Sequence, residues 1–249
     1  MKTARLDSLE ERLVCWPDAA AEPQLILFDI DRTLLDTCGG NRRAMERAGR
    51  TVFGERFDLQ GIDRSGRLDS HILMDAASRL GEPLTSEKFN QFRTQYAIEL
   101  ESERDGQRVM PGAVAWVKRL AEIENVTLGL VTGNFASAAA VKIPAIGLDF
   151  AVFTANGFGD TGERRADLVG IARLRCPEVE IASTLIIGDT PRDIECARAN
   201  GCPSLIVATG DYDADQLRGA GARDVVSDLT CPEATRFMDL FLRGKEADA

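Results

Sequence analysis

The chain has 249 residues, 44% of them hydrophobic, and its 30 basic against 40 acidic side chains leave a net charge of −10. Such acidity argues against nucleic acid or an anionic membrane as the main partner, and no apolar run approaches the ~20 residues of a membrane-spanning helix. At ~150 residues per domain, the length allows one or two domains and a large core.

Residues 1–23 form a polar, weakly periodic extension without the apolar centre of a secretory signal, so a cytoplasmic protein is expected. The six cysteines, Cys15, Cys38, Cys176, Cys196, Cys202 and Cys231, contain no Cys-x-x-Cys pair, and a chain this long needs no covalent staples; reduced thiols agree with that compartment. The single histidine, His71, is expected on the surface and cannot found a zinc site.

Residues 25–28 are a short apolar run that reads as a buried strand, followed by Asp29-Ile30-Asp31-Arg32-Thr33. Two carboxylates in alternation at a strand end point to different sides, so one can attack a substrate while the other handles a proton. The same residue types also leave a strand through a turn, because Asp and Thr side chains bond nearby backbone.

Residues 38–108 carry apolar side chains at helical spacing, as in Ile72, Leu73, Ala76, Ala77 and Leu80, then Phe89, Phe92, Tyr96 and Leu100, with no strand pattern. Pro111-Gly112 opens the next helix, with Trp116 expected in the core. A second strand over residues 126–131 ends at Thr132-Gly133-Asn134, where a hydroxyl and open N–H groups at a helix start suit a phosphate. Residues 151–153 read as another strand, and Arg165 precedes an amphipathic helix. A third apolar strand, residues 184–187, ends at Gly188-Asp189-Thr190-Pro191-Arg192-Asp193; Pro191 fits a first helical turn, and Asp189 also suits the helix cap. Short strands at residues 205–207 and 225–226 follow, and Asp211, Asp213 and Asp215 read as a solvated loop and helix start.

Three polar motifs thus follow three buried strands. In an open parallel sheet, ligands bind beyond the carboxyl ends of the strands, so the motifs converge on one site. The alternation of strand and helix predicts an α/β fold, a doubly wound parallel sheet with an inserted α-helical cap.

From about residue 25 to 228, these motifs in this order resemble the haloacid dehalogenase-like superfamily, specifically its phosphatase branch. The resemblance implies a Rossmann-like core (residues 24–37 and 109–249), a small helical cap (residues 38–108) and an N-terminal extension (residues 1–23). It implies that Asp29 is the nucleophile and Asp31 the acid/base, with Mg²⁺ held by Asp29, the Asp31 backbone carbonyl and Asp189, and supported by Asp193. Thr132, Gly133 and Asn134 would receive the phosphate, beside a Lys or Arg that neutralises it. Arg165 is the expected cation, with Arg164 and Lys142 as open alternatives. Gly66-Arg67-Leu68-Asp69 is similar to the Gly-Lys-Thr-Asp turn of phosphoglycolate phosphatase-like members, but Leu68 replaces the Thr and leaves the substrate open. Arg67 either meets a second anionic group of the substrate or is a surface charge, and Arg42 and Arg43 at the cap entrance stand in the same position.

The expected function is a Mg²⁺-dependent phosphatase that hydrolyses a small phosphorylated metabolite through an aspartyl-phosphate. The alternatives are a phosphomutase and a non-catalytic phosphate-sensing or partner-binding protein. The dehalogenases of the superfamily lack the second Asp, and Asp31 is present. Oligomeric state is not written in these motifs.

Overall fold

In the computed structural model, which describes residues 9–13 and 15–244, the apolar runs become strands of one parallel sheet. The strands are β1 (Ala19–Phe28), β2 (Leu35–Asp36), β3 (Arg108–Val109), β4 (Glu124–Leu130), β5 (Thr184–Gly188), β6 (Ser204–Val207) and β7 (Asp224–Val226). The helices are α1 (Leu9–Leu13), α2 (Gly40–Phe53), α3 (Asp69–Arg79), α4 (Ser86–Glu101), α5 (Ala113–Ala121), α6 (Ala136–Ala145), α7 (Asp167–Arg173), α8 (Pro191–Asn200), α9 (Ala214–Gly219) and α10 (Pro232–Leu242).

The main sheet runs β4-β1-β5-β6-β7, all parallel. Successive side chains of β1 enter opposite layers: Ile26 and Phe28 pack with Trp116, Leu120, Ile143 and Met238, whereas Leu25 and Leu27 pack with Leu168, Val169 and Cys196. A strand covered on both faces must be apolar at every position, which is why these runs show no alternation. The order changes direction at β1, since β4 lies on one side of it and β5 on the other. A crevice at such a switch point is where an open α/β sheet binds ligands.

The chain leaves the sheet after β1 and returns through β3, and β2 and β3 pair antiparallel, Leu35 with Val109 and Asp36 with Arg108. Two residues per strand are too few to leave a period in the sequence. Between them, α2, α3 and α4 build a separate apolar cluster around Met45, Phe57, Leu73, Phe92 and Tyr96. Phe135 and Ala138, from the start of α6, complete that cluster and tie it to the sheet.

Two segments depart from expectation. Residues 151–153 do not form a strand: residues 150–152 make a 3-10 turn, and only Phe153 bridges to Leu128. The Asp149 carboxylate accepts the Ala151 N–H at 2.9 Å and caps the turn, so the local hydrogen bond wins over strand pairing. The strand expected from residue 25 begins instead at Ala19. Trp16, just before it, is buried, donates Nε1–H to the Thr235 carbonyl at 3.0 Å and meets Trp116 edge-on at 4.9 Å between ring centres. Residues 9, 12, 13 and 15–23 of the predicted extension therefore have a described packing; residues 1–8 and 14 lie outside the described part.

Candidate active site

Asp29 is the first residue beyond β1, and its N–H donates to the Ile187 carbonyl of β5 at 2.8 Å. That bond extends the ladder and fixes the carboxylate in the crevice, only 4% exposed. The chain then turns sharply: Leu34 and Leu35 donate to the Ile30 carbonyl, and Arg32 takes a left-handed conformation with φ 65°. Asp31 sits inside this turn with its side chain 30% exposed and lines the same cavity as Asp29.

Beyond β4, Thr132 is fully buried. A Cβ on Gly133 would lie 2.0 Å from the Arg67 carbonyl oxygen, so the close crossing of the 66–69 turn demands glycine here. The Asp69 N–H seals the crossing on the Gly133 carbonyl at 2.7 Å. The helix-start N–H groups expected to be open are partly taken. Phe135 donates to Asp69 Oδ2 at 3.1 Å and Ala136 to Asp160 Oδ1 at 3.2 Å, since carboxylates complement a helix N-terminus. Thr132, Gly133 and Asn134 all line the cavity.

Beyond β5, the cap of α8 is Thr190: its backbone N–H and hydroxyl donate to Asp193 Oδ2, at 3.0 and 2.7 Å. Asp189 is thereby released from the capping role the sequence allowed it, and among the described residues its buried carboxylate accepts only the long 3.4 Å contact from the Thr33 hydroxyl. One carboxylate oxygen each from Asp29, Asp189 and Asp193 lie within 4.8 Å of one another.

The three candidate cations separate cleanly. Arg165 is buried, with Nη2 at 3.1 Å from Asp29 Oδ1 and hydrogen-bonded to Asp193 Oδ1, and Nη1 donating to the Gly66 carbonyl at 3.0 Å. Lys142 is also buried but faces the other acid: Nζ donates to Asp31 Oδ1 and Oδ2 at 2.8 and 2.7 Å, and to Asn134 Oδ1 at 2.6 Å. Arg164 points away, its side chain 80% exposed and paired with Asp167.

Three buried carboxylates around one guanidinium leave the cluster short of positive charge. Burial pushes Asp29 up to about 6, opposed by Arg165 and reinforced by Asp193 and Asp31. Asp189 is raised well above the usual range by burial, then by Asp193 and Asp29. Burial lowers Arg165, but Asp193 and Asp29 outweigh it and raise the guanidinium overall. A set of hard oxygens with excess negative charge fits a divalent metal ion.

A cavity of about 410 Å³ opens above these residues. Its far wall belongs to the helical insertion and includes Arg42, Met45, Arg64, Arg67, Ile72 and Tyr96. Arg67 reaches the cavity with its guanidinium held by Asp75 at 2.8 Å and the Asp63 carbonyl at 3.2 Å. The Arg64 carbonyl accepts the Arg67 N–H at 3.2 Å, but the Arg64 side chain has no hydrogen bond or ion pair among the described residues. Arg42 pairs with Glu46, and Arg43 pairs with Glu103 outside the cavity lining. Cys38 is exposed at the β2–β3 crossing, accepting a hydrogen bond from Arg108 Nε at 3.0 Å, and is absent from the cavity wall. His71 is half-buried on α3 and joins no group of metal-ligating side chains among the described residues.

Sequence reasoning missed the pairing of Lys142 with Asp31, although a lysine inside the otherwise apolar 138–146 stretch was a visible signal. It also missed Asp69, which is buried under the turn it terminates. Burial pushes this carboxyl up to about 7, with Lys142 opposing and Asp31 reinforcing the shift.

A parallel sheet that gathers its acids at the switch point, beside a helical insertion that lines the same cavity, has the plan of an α/β enzyme. Within that class the chain belongs to the haloacid dehalogenase-like hydrolases, whose family model matches residues 26–198. It is 26% identical over 217 residues to the phosphoglycolate phosphatase of Rhodospirillum rubrum, covering 83% of this chain and 88% of that relative. Among solved structures, a hydrolase from Pseudomonas syringae superposes with a TM-score of 0.64 at 23% identity, covering 82% of this chain and 94% of that one. CbbY from Rhodobacter sphaeroides, solved in complex with phosphate, gives 0.65 at 17% identity, covering 83% and 95%. At these identities the structural likeness establishes the shared fold.

Proposed function

We propose that this hydrolase is a Mg²⁺-dependent phosphatase of a small phosphate monoester, working through an aspartyl-phosphate on Asp29. The observation that carries the reading is the placement of Asp29: it lines the cavity, with Arg165 on its Oδ1 and Asp189 and Asp193 beside it. We assign residues 24–37 and 109–249 to the catalytic core and residues 38–108 to the lid.

In the first step an Asp29 oxygen bonds to phosphorus as the ester P–O bond breaks, and Asp31 gives a proton to the departing oxygen. In the second, water attacks the same phosphorus, Asp31 takes its proton, and the Asp29–phosphorus bond breaks to free phosphate. Arg165 balances charge on Asp29 and on the transferring group in both steps. The Thr132 hydroxyl proton and the Gly133 N–H are the donors offered to the phosphoryl oxygens at the end of β4, and Asn134, whose N–H groups are taken by Asp31 and Thr132, orders that turn. Asp29, Asp189 and the Asp31 backbone carbonyl would hold the metal ion, with Asp193 supporting through its bond to Arg165. When bound, that ion screens the anionic nucleophile from the anionic ester and polarises a phosphoryl oxygen.

The test is phosphate release from phosphoglycolate and p-nitrophenyl phosphate. Chelation by EDTA is expected to silence it, Mg²⁺ to restore it, and Ca²⁺ to fail, because Ca²⁺ takes more ligands at longer distance. Full activity in excess chelator would overturn the metal assignment. An isomerised phosphate ester without free phosphate would identify a phosphomutase, and no turnover on a broad ester panel a binding protein.

The cationic side chains of the lid wall support the reading of a substrate with a second anionic group, in keeping with the name of the Rhodospirillum relative. Arg64 carries this reading better than Arg67, whose guanidinium is already engaged by Asp75. Arg64→Ala is expected to lower kcat/KM for phosphoglycolate by roughly 10- to 100-fold, the loss of one charged hydrogen bond, and to spare p-nitrophenyl phosphate. Equal effects on both esters would remove Arg64 from substrate recognition.

A further inference from the structure

We infer that Lys142, together with Asn134, is the positioning residue of Asp31, holding its carboxylate in place for proton transfer to the leaving oxygen; this rests on the phosphatase reading above. The site then has two cations with divided duties, Arg165 for the nucleophile and Lys142 for the acid/base.

Lys142 lies on α6 among Ala138, Ala139 and Ile143, all buried, and is itself fully buried. A charge is placed there at a cost of several kcal/mol unless every donor is matched. The match is complete: the three N–H groups of Nζ meet Asp31 Oδ1, Asp31 Oδ2 and Asn134 Oδ1. Asn134 closes the ring, its Nδ2 donating to Asp31 Oδ2 and to the Thr132 hydroxyl, both at 2.8 Å. Asp31 is therefore gripped from the α6 side by two residues, while its remaining surface faces the cavity.

The grip matters because Asp31 stands on a loop, not on a strand. A carboxylate there has rotamers that turn it away from the ester, and a misplacement of about 1 Å can cost on the order of 10²-fold in rate. Lys142 makes no hydrogen bond to Asp29, Asp189 or Asp193, whereas Arg165 bonds to the first and last of these. A role as general neutraliser of the phosphate is therefore left to Arg165.

The chemistry supplies a readout that a merely structural lysine would not move. In the first step the proton passes from Asp31 to the ester oxygen as its bond to phosphorus breaks and the Asp29–phosphorus bond forms. An alkoxide needs that proton; p-nitrophenolate leaves without it. Because kcat/KM reports the steps through departure of the alcohol, it isolates this transfer from the later attack of water. Lys142→Met is expected to lower kcat/KM for phosphoglycolate by roughly 10²–10⁴-fold, the range of general acid catalysis, with less than a tenfold loss on p-nitrophenyl phosphate. Asp31→Asn should show the same selectivity, and the double variant should be no slower than Asp31→Asn alone, as expected for residues acting as one unit.

If the Met variant does not fold, Lys142→Gln, which replaces the ammonium by a neutral amide donor one atom nearer the backbone, carries the same comparison. Equal losses on the two esters, no loss on either, or additive losses in the double variant would overturn the proposal. A wild-type chain inactive on both esters would instead sink the phosphatase reading, and this inference with it.

Discussion

Asp29→Asn is expected to abolish phosphate release, by about 10⁶-fold in kcat, the scale on which loss of a covalent nucleophile registers. The amide keeps the shape of the carboxylate but is a poor nucleophile. Removing this charge should not harm the fold, because Asp29 is buried beside Asp193 and is already pushed up to about 6. Arg165 keeps its partner in Asp193 and its bond to the Gly66 carbonyl. Thermal unfolding of the variant should match or exceed that of the parent chain, while acid-quenched labelling with a radioactive phosphate ester should find protein-bound phosphate only in the parent. Near-normal turnover by the variant would refute covalent catalysis at Asp29.

Arg165→Met should damage stability and catalysis together. The side chain joins Asp29, Asp193 and the Gly66 carbonyl in a space with almost no water access. Breaking a buried ion pair by removing one partner costs about 3–5 kcal/mol, because the carboxylates left behind are uncompensated. The expected result is a clear fall in Tm, partly reversed by Mg²⁺, since a bound cation would replace some of the lost charge. Activity should fall on alkyl and aryl esters alike, because Arg165 serves the phosphoryl group common to both. A loss confined to one ester would move Arg165 from charge balance to substrate selection.

The architecture was legible in the sequence because each core strand is a short apolar run closed by a polar motif. Residues 25–28, 126–131 and 184–187 announced a sheet covered on both faces, and Asp29, Asp31, Thr132 and Asp189 marked where its ends would meet. Pattern failed where a local hydrogen bond competed with pairing, as at Asp149 and residues 150–152, and where an element was too short to show a period, as at β2 and β3.

The division of labour among the polar groups was decided only by the tertiary structure. In sequence, Arg165 is preferred to its neighbour Arg164 only by its place before a helix; in space Arg164 is exposed and paired with Asp167, and Arg165 lies between Asp29 and Asp193. Lys142 reads as an alternative cation for the phosphate until α6 is laid against the Asp31 loop, and Arg67 reads equally as a substrate contact or a surface charge until its guanidinium is seen paired with Asp75. Periodicity and spacing report which face of an element is buried. Which charge faces which depends on contacts between residues over a hundred positions apart, as for Asp31 and Lys142, and those exist only once the sheet has brought its ends together.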